Sequence, residues 1–440
     1  MSHPALRPAA VALLLACAFP ARALEAPALF RGDAARTGVF AAPATPPAGK
    51  LRWQFHTRGA VVSSPVVAGD SVYVGSADHQ VYALDRASGS VRWKFPTQGR
   101  VSSSPAVAGG LVYVASYDGR LYAIDAATGR QRWSFATEGE RRFAAPHLHG
   151  AEPRDEVMPD VFDFYLSSPA VAGGTVYFGS GDRHVYALDA ADGTLRWKVA
   201  TKEVVHASPA VAEGLVVVGD WDSTLLALDA ATGAERWRFQ AGRDDRIHNQ
   251  QGFQSSPAIA GGTVFVGCRD AHLYALDLRT GAPRWNYPTG ASWVITSPAV
   301  RDGKVYFATS DSGLFIALDA QTGRKLFELD NHRWPMFSSP ALAGGRAYIG
   351  THGGRLLAID LDDGKPAWSF ETETAREYAK AITKPDGTPF YEAVFTDFFY
   401  DDMVAGTYRM LAAGAMLSSP SVAGGTVYVG SMDGNVYAVD

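Results

Sequence analysis

Few residues in this chain stand at spacings that chemistry uses. His147 and His149, one residue apart, precede Glu152 and Asp155, and imidazole nitrogens with carboxylate oxygens are the ligand types of zinc and its neighbours. The spacing falls in an irregular stretch where solvated loop residues account for it more simply, so we expect no metal there. Asp397, Asp401 and Asp402 group hard oxygen donors of the kind calcium takes, with no stronger support. Cys268 stands where equivalent segments carry Ser or Ala and reads as a small packing residue. Neither a Gly-x-Ser-x-Gly elbow, nor a phosphate-cradling Gly loop, nor a Cys/His zinc motif occurs. Arg31-Gly32-Asp33 reads as lead-in sequence and not as an adhesion motif. What could act is aromatic and imidazole surface, and the elements that carry it decide which residues meet.

Composition excludes several classes before any element is placed. With 440 residues, 47% apolar and 19% charged, and a net charge of −5, the chain has a globular balance that argues against disorder and against general affinity for nucleic acid. Its 45 Gly exceed the ordinary ~7% and point to many tight turns. Arg7, the apolar stretch from Ala9 to Phe19, Pro20 and Ala21-Arg22-Ala23 have the parts of an export signal, and the apolar run is too short to span a bilayer. Cleavage after Ala23 would remove Arg7 and Arg22, taking the charge from −5 to −7. Leu14-Leu15-Ala16-Cys17 is a rival, lipoprotein signal that would leave an outer-membrane anchor on Cys17. Either way we expect a periplasmic or secreted protein, monomeric, with no transmembrane segment. Cys268 is then alone and forms no internal disulfide.

The remainder repeats. A Ser-Pro step recurs with Pro at 65, 105, 169, 209, 257, 298, 340 and 420, and an aromatic recurs at Trp53, Trp93, Trp133, Trp197, Trp237, Trp285, Phe327 and Trp368. From each Pro to the next aromatic the spacing is 28, once 29, whereas from aromatic to the next Pro it ranges from 12 to 52. One segment of the unit is fixed and the other absorbs the insertions. The fixed segment is strand: in the last unit Ser419-Pro-Ser-Val-Ala423 meets a Gly-Gly turn, then Thr426 to Gly430, an Asp-Gly turn and Val436 to Asp440. Short β-branched and aromatic runs broken by such turns predict a four-stranded antiparallel meander per unit. A third turn, Asp-x-x-x-Gly as in Asp125 to Gly129, reads as structural, its Asp satisfying turn amides and its Gly taking positive φ. The repeated aromatic can pack between neighbouring units, so seven Trp and Phe327 read as core. The eighth unit has three strands, and Leu51 to Phe55 supplies the fourth. We expect an eight-bladed, all-β propeller over residues 51–440, closed by that N-terminal strand, after an extended lead-in at 24–50.

The repeat reads Ala-x-Asp-x-x-Thr-Gly-x-x-x-Trp at Ala123 to Trp133 and Ala227 to Trp237. It resembles the tryptophan-docking repeat of the pyrroloquinoline quinone (PQQ) type, and Phe30-Arg-Gly-Asp33 to Thr37-Gly38 resembles the lead-in common in that family. The resemblance implies the fold. For function it implies either a quinoprotein alcohol dehydrogenase using PQQ with calcium, or a BamB-type envelope protein that binds a partner and no quinone. The dehydrogenase branch is marked by adjacent cysteines over the quinone, by a Glu, an Asn and an Asp on calcium, and by an Asp base. This sequence has no adjacent cysteine pair and no recognisable counterpart of the calcium ligands.

Residues that the repeat does not explain fall on one face. Insertions lie between blades, at about 138–164, 241–252 and 371–416. Trp221, Trp293 and Trp334, outside the repeated slot, and the ten His after residue 23 map to that same face. In the largest insertion Thr374 to Ile382 and Tyr391 to Leu411 show helical spacing around a Pro-Asp-Gly turn, and Asp160-Val-Phe-Asp-Phe-Tyr165 ends another. We expect a partly helical cap over the channel mouth. As a ligand or partner surface we expect Trp221, Trp293, Trp334, His147, His149, Phe164, Tyr165, His206, His248, Phe253, Phe337 and Met416. The function expected is a non-catalytic scaffold that engages an envelope protein or a small ligand through this face, with no cofactor. The alternative is the PQQ- and calcium-dependent alcohol dehydrogenase.

Overall fold

The computed structural model describes residues 26–440 apart from 149–152, 245, 247 and 398; the expected export signal, Cys17, His149 and Glu152 lie outside these. Eight four-stranded antiparallel sheets stand around an axis. In the first blade the strands are Val66–Ala68, Ser71–Ser76, Gln80–Asp85 and Val91–Pro96, running from axis to rim. The middle strands are buried on both faces, which their β-branched and aromatic runs require. Blade eight takes Leu51–His56 beside Asn435–Val439, with Trp53 opposite Ala438 and Phe55 opposite Val436, so the ring closes as the register implies.

Two repeated contacts join the blades. Six rim Trp donate the indole N–H to the third turn of the following blade, for example Trp93 to Ala126 O at 2.9 Å, Trp197 to Ala230 O at 3.0 Å and Trp237 to Leu278 O at 2.8 Å, and Trp368 donates to Pro47 O of the lead-in at 2.7 Å. The ring of each of the six covers the turn glycine. Gly281, at φ +71°, would bring a Cβ within 2.6 Å of Trp237, so the position excludes any side chain. Nearer the axis, the Ser before each repeated Pro accepts from the amide of its counterpart in the preceding blade. The chain of bonds runs Ser64 to Ser104, Ser168, Ser208, Ser256, Ser297, Ser339 and Ser419, and Ser419 N returns to Ser64 Oγ at 2.9 Å. A closed ring of eight serines thus lines the channel.

The lead-in is not a loose extended strap. Residues 28–40 cross the channel at the end opposite the insertions, where carbonyls of Ala28, Ala34, Ala35, Thr37 and Gly38 accept amides from the inner strands of five blades. Arg31 and Arg36 are buried there. Arg36 donates to Pro209 O at 2.6 Å, Ser168 O at 2.6 Å and Phe30 O at 3.0 Å, and Arg31 to the carbonyls of Pro298 and Pro340. Two guanidinium groups therefore fasten carbonyls from four blades at the axis.

Candidate functional site

The three insertions interlock into one cap. The first carries a small ribbon, Ala144–Ala145 against Met158–Pro159; the second a single 3-10 turn, His248–Gln250. The third carries Glu373–Tyr378, Tyr391–Val394 and the longest helix, Tyr400–Leu411. Tyr400 Oη donates to Pro159 O at 2.6 Å, His248 N to His147 O at 3.3 Å, and Gln254 Nε2 to Phe162 O at 2.6 Å. The Tyr400–Leu411 helix turns Met410 and Leu411 inward, and Trp334 packs beneath with Val394 and Met410 while donating to Gly387 O at 3.0 Å.

Between cap and channel mouth lies a cavity of about 480 Å³, within the roughly 300–1,000 Å³ of small-molecule sites. Its wall is mostly apolar: Phe162, Trp293, Pro335, Phe337, Phe395, Met403, Met410 and Leu411. Set into that wall are polar atoms that no group among the described residues satisfies, namely Tyr391 Oη, Thr407 Oγ1 and both ring nitrogens of His352. His352 is only 3% exposed and packs against Phe337 with ring centroids 4.2 Å apart. Burial lowers its pKa from 6.5 to about 3, so the imidazole is neutral. Asn249 and Gln250 line the same space, and exposed Asp311 is the one carboxylate on it among the described residues. Among the described residues no Lys or Arg lines it.

Below, buried charges pair, although Arg269 Nε and Nη2 find no hydrogen-bond partner among the described residues. Arg269 forms an ion pair with Asp160 at 2.9 Å, both nearly inaccessible, and its guanidinium carbon lies 4.1 Å from the Trp293 ring centroid and 4.8 Å from that of Trp221. Stacked cation and aromatics make a rigid floor. His206 bridges two buried carboxylates, Asp163 at 2.7 Å on Nδ1 and Glu140 at 2.9 Å on Nε2. Burial alone would lower the His206 pKa, but the charge and hydrogen bonds of the two carboxylates raise it to about 10. Cys268 is buried, and that burial keeps its thiol protonated.

Residues expected on this face meet in part. Trp293 and Phe337 line the cavity, and Trp334 supports its cap. Phe164 and Tyr165 join Trp293 and Phe337 in the axial apolar cluster, where Tyr165 Oη donates to Phe337 O at 3.2 Å and Leu417 O at 3.1 Å. His206 lies below, on a much smaller axial cavity beside the serine ring. Trp221 is fully buried, stacked on Phe143 at 4.8 Å. His147 and His248 stack on each other at 5.7 Å away from the cavity, and His147 Nε2 meets Asp155 at 2.7 Å. Phe253 and Met416 are elsewhere: both are fully buried between blades, over Gly219 and Gly350, where a Cβ would come within 2.3 and 2.5 Å of them. They occupy the slot four residues before the repeated Pro that holds Val61, Val101, Val205 and Val294 in other blades. Side chains alternate along an extended segment, so the slot one residue later faces the axis.

That later slot holds Val62, Ser102, Leu166, His206, Gln254, Ile295, Phe337 and Leu417. A second variable slot lies in the loop between second and third strands, two residues past the Gly or Ala that ends each repeated run: Ala77, Tyr117, Gly181, Trp221, Arg269, Ser310, His352 and Met432. Sequence reading missed Arg269 and placed His352 on this face without naming it in the surface, yet invariant neighbours around a changing residue mark both. Thr407 and Tyr391 carry no such signal, because the cap does not repeat.

Comparison with known proteins places the chain. The family described as outer membrane protein assembly factor BamB matches residues 41–158, 163–292 and 246–440. The chain belongs to that family. BamB from Moraxella catarrhalis superposes with a TM-score of 0.65 at 17% identity, covering 88% of this chain and 98% of that one. A europium-containing methanol dehydrogenase does so at 0.66 and 16%, covering 93% and 98%. These likenesses show the fold. In sequence, a lanthanide-dependent methanol dehydrogenase of Methylacidiphilum fumariolicum is 32% identical over 136 residues, 28% of this chain and 22% of that protein. A quinoprotein ethanol dehydrogenase of Pseudomonas putida is 38% identical over 79 residues, 16% and 12%. The chain therefore matches at most about a fifth of either relative's length. No helix among the described residues is long and apolar enough to cross a membrane.

The dehydrogenase relatives pose the question of a quinone with a metal ion. PQQ is a tricarboxylate, and no Lys or Arg among the described residues lines this cavity to meet it. A divalent ion needs several free oxygen donors, whereas Asp160, Asp163 and Glu140 already serve Arg269 and His206. Among the described residues no three His, Cys, Asp or Glu converge as a ligand set. The side chains present do not fit that pair.

Proposed function

We propose that this family member is a non-catalytic binding protein of the cell envelope that takes a small ligand between its cap and the mouth of the propeller. The observation that carries the reading is the cavity of about 480 Å³, mostly apolar in its wall, with the acids Asp160, Asp163 and Glu140 below it already paired with Arg269 and His206. A site built for acid–base or redox work would keep a carboxylate or imidazole in reach with a tuned pKa. Here the buried imidazole at the wall is neutral, and His206 is spent on holding two acids. The export signal at residues 1–23 and the outer-membrane description of the family support the location. The quinoprotein reading draws on local identity to the methanol and ethanol dehydrogenases, against a lining that suits neither the anion nor its metal.

The test is uptake of N-phenyl-1-naphthylamine, a neutral fluorophore that brightens in apolar surroundings. We expect saturable binding of one molecule per chain, weakened at least tenfold by Thr407→Phe, which fills the cavity from the helix, or by Ala291→Trp, which blocks its exposed rim. Uptake that both variants leave unchanged, or no saturable uptake, would overturn the proposal.

A further inference from the structure

We infer that the ligand is an uncharged amphipathic molecule, with an apolar body against Phe162, Trp293 and Met410 and a hydroxyl, carbonyl or similar neutral head hydrogen-bonded by His352. This rests on the binding reading above and adds the chemistry of the occupant. Buried polar atoms are almost always satisfied, and leaving an imidazole without a partner in an apolar wall is destabilising. Four orphaned positions belong to three residues that line one cavity: the two ring nitrogens of His352, Thr407 Oγ1 and Tyr391 Oη. A neutral imidazole offers one donor and one acceptor, and the two hydroxyls offer both roles. That set can serve a group that donates and accepts, such as an alcohol or an amide.

Charge is disfavoured from both directions. An anion would meet no Lys or Arg in the lining and would face Asp311 at the rim. A cation would have Asp311 alone as an exposed counter-charge, while Arg269 lies within 4.1 Å of the floor aromatic Trp293, and moving a charge into such a wall is costly without a partner. The ligand's selectivity therefore falls on neutral head groups, and His352 is its positioning residue.

Displacement of bound N-phenyl-1-naphthylamine by three compounds of one ring system tests this: 2-naphthol, 2-methylnaphthalene and 2-naphthoate. We expect 2-naphthol to compete best and 2-naphthoate at least tenfold more weakly than 2-naphthol. His352→Leu should abolish the advantage of 2-naphthol over 2-methylnaphthalene and leave the latter unchanged, and His352→Gln, which keeps a donor and an acceptor, should restore part of it. Unaltered melting of both variants checks that the wall is intact. Naphthoate competing as well as naphthol, or a naphthol advantage that survives His352→Leu, would overturn this inference while leaving the binding reading standing. Failure of the fluorophore itself to bind in the cavity would remove both.

Discussion

His206 carries a carboxylate on each ring nitrogen, inside a wall that excludes water. Folding moves its pKa from 6.5 up to about 10, so between those values the folded chain holds a proton that the unfolded chain has released. Its contribution to stability is complete below about pH 6.5 and is lost as pH rises toward 10, with a slope approaching ~1.4 kcal/mol per pH unit. We expect the urea midpoint to fall from pH 6.5 to 9.5, and that fall to flatten in His206→Gln, which is less stable throughout. Parallel pH curves for the two proteins would contradict the assignment. Single residues also show where sequence reading worked. Trp93 and Trp237 declared themselves by period, because the turn glycine and carbonyl that receive an indole recur with it. Phe253 and Met416 misled because large apolar side chains near a loop resemble surface anchors, and only the two-residue alternation separates their slot from that of His206 and Phe337. His352 was legible as one of the His on the insertion face, and only its change within a constant loop sets it apart from the others.

At the scale of elements, the lead-in and the cap do opposite things to the channel. Residues 28–40 seal one end through backbone bonds to five blades, and Arg36 spends three donors on carbonyls. Burial lowers the Arg36 pKa to about 9, a cost tolerated because those carbonyls would otherwise be unpaired. Arg36→Met keeps most of the bulk and removes the donors, and we expect a loss of about 2 to 5 kcal/mol by urea unfolding. A loss below about 0.5 kcal/mol would show that water satisfies the carbonyls instead. The lead-in could be delimited from sequence but not placed, since contacts across hundreds of residues leave no local pattern. Helical spacing in Tyr391 to Leu411 was legible because an amphipathic helix laid on a sheet must be periodic. The break between Tyr391–Val394 and Tyr400–Leu411, which shapes the cavity roof, was not.

For the molecule as a whole, one ring of repeated contacts leaves the fold over-determined and the function to whatever departs from repetition. Eight serines, the rim aromatics and the pairing of residues 51–56 with 435–439 would build the same propeller around any mouth, which is why a BamB and a methanol dehydrogenase superpose on it about equally well. What distinguishes this chain is the way its charges are used: Asp160 on Arg269, Asp163 and Glu140 on His206, with Asp311 the one carboxylate at the cavity rim among the described residues. The claim of a binding site without quinone chemistry therefore stands on that distribution. Calorimetric and absorbance titration of the purified protein with PQQ and calcium together tests it most directly. The account predicts no saturable heat and no bound quinone absorbance after gel filtration. Stoichiometric, calcium-dependent retention of PQQ would contradict it.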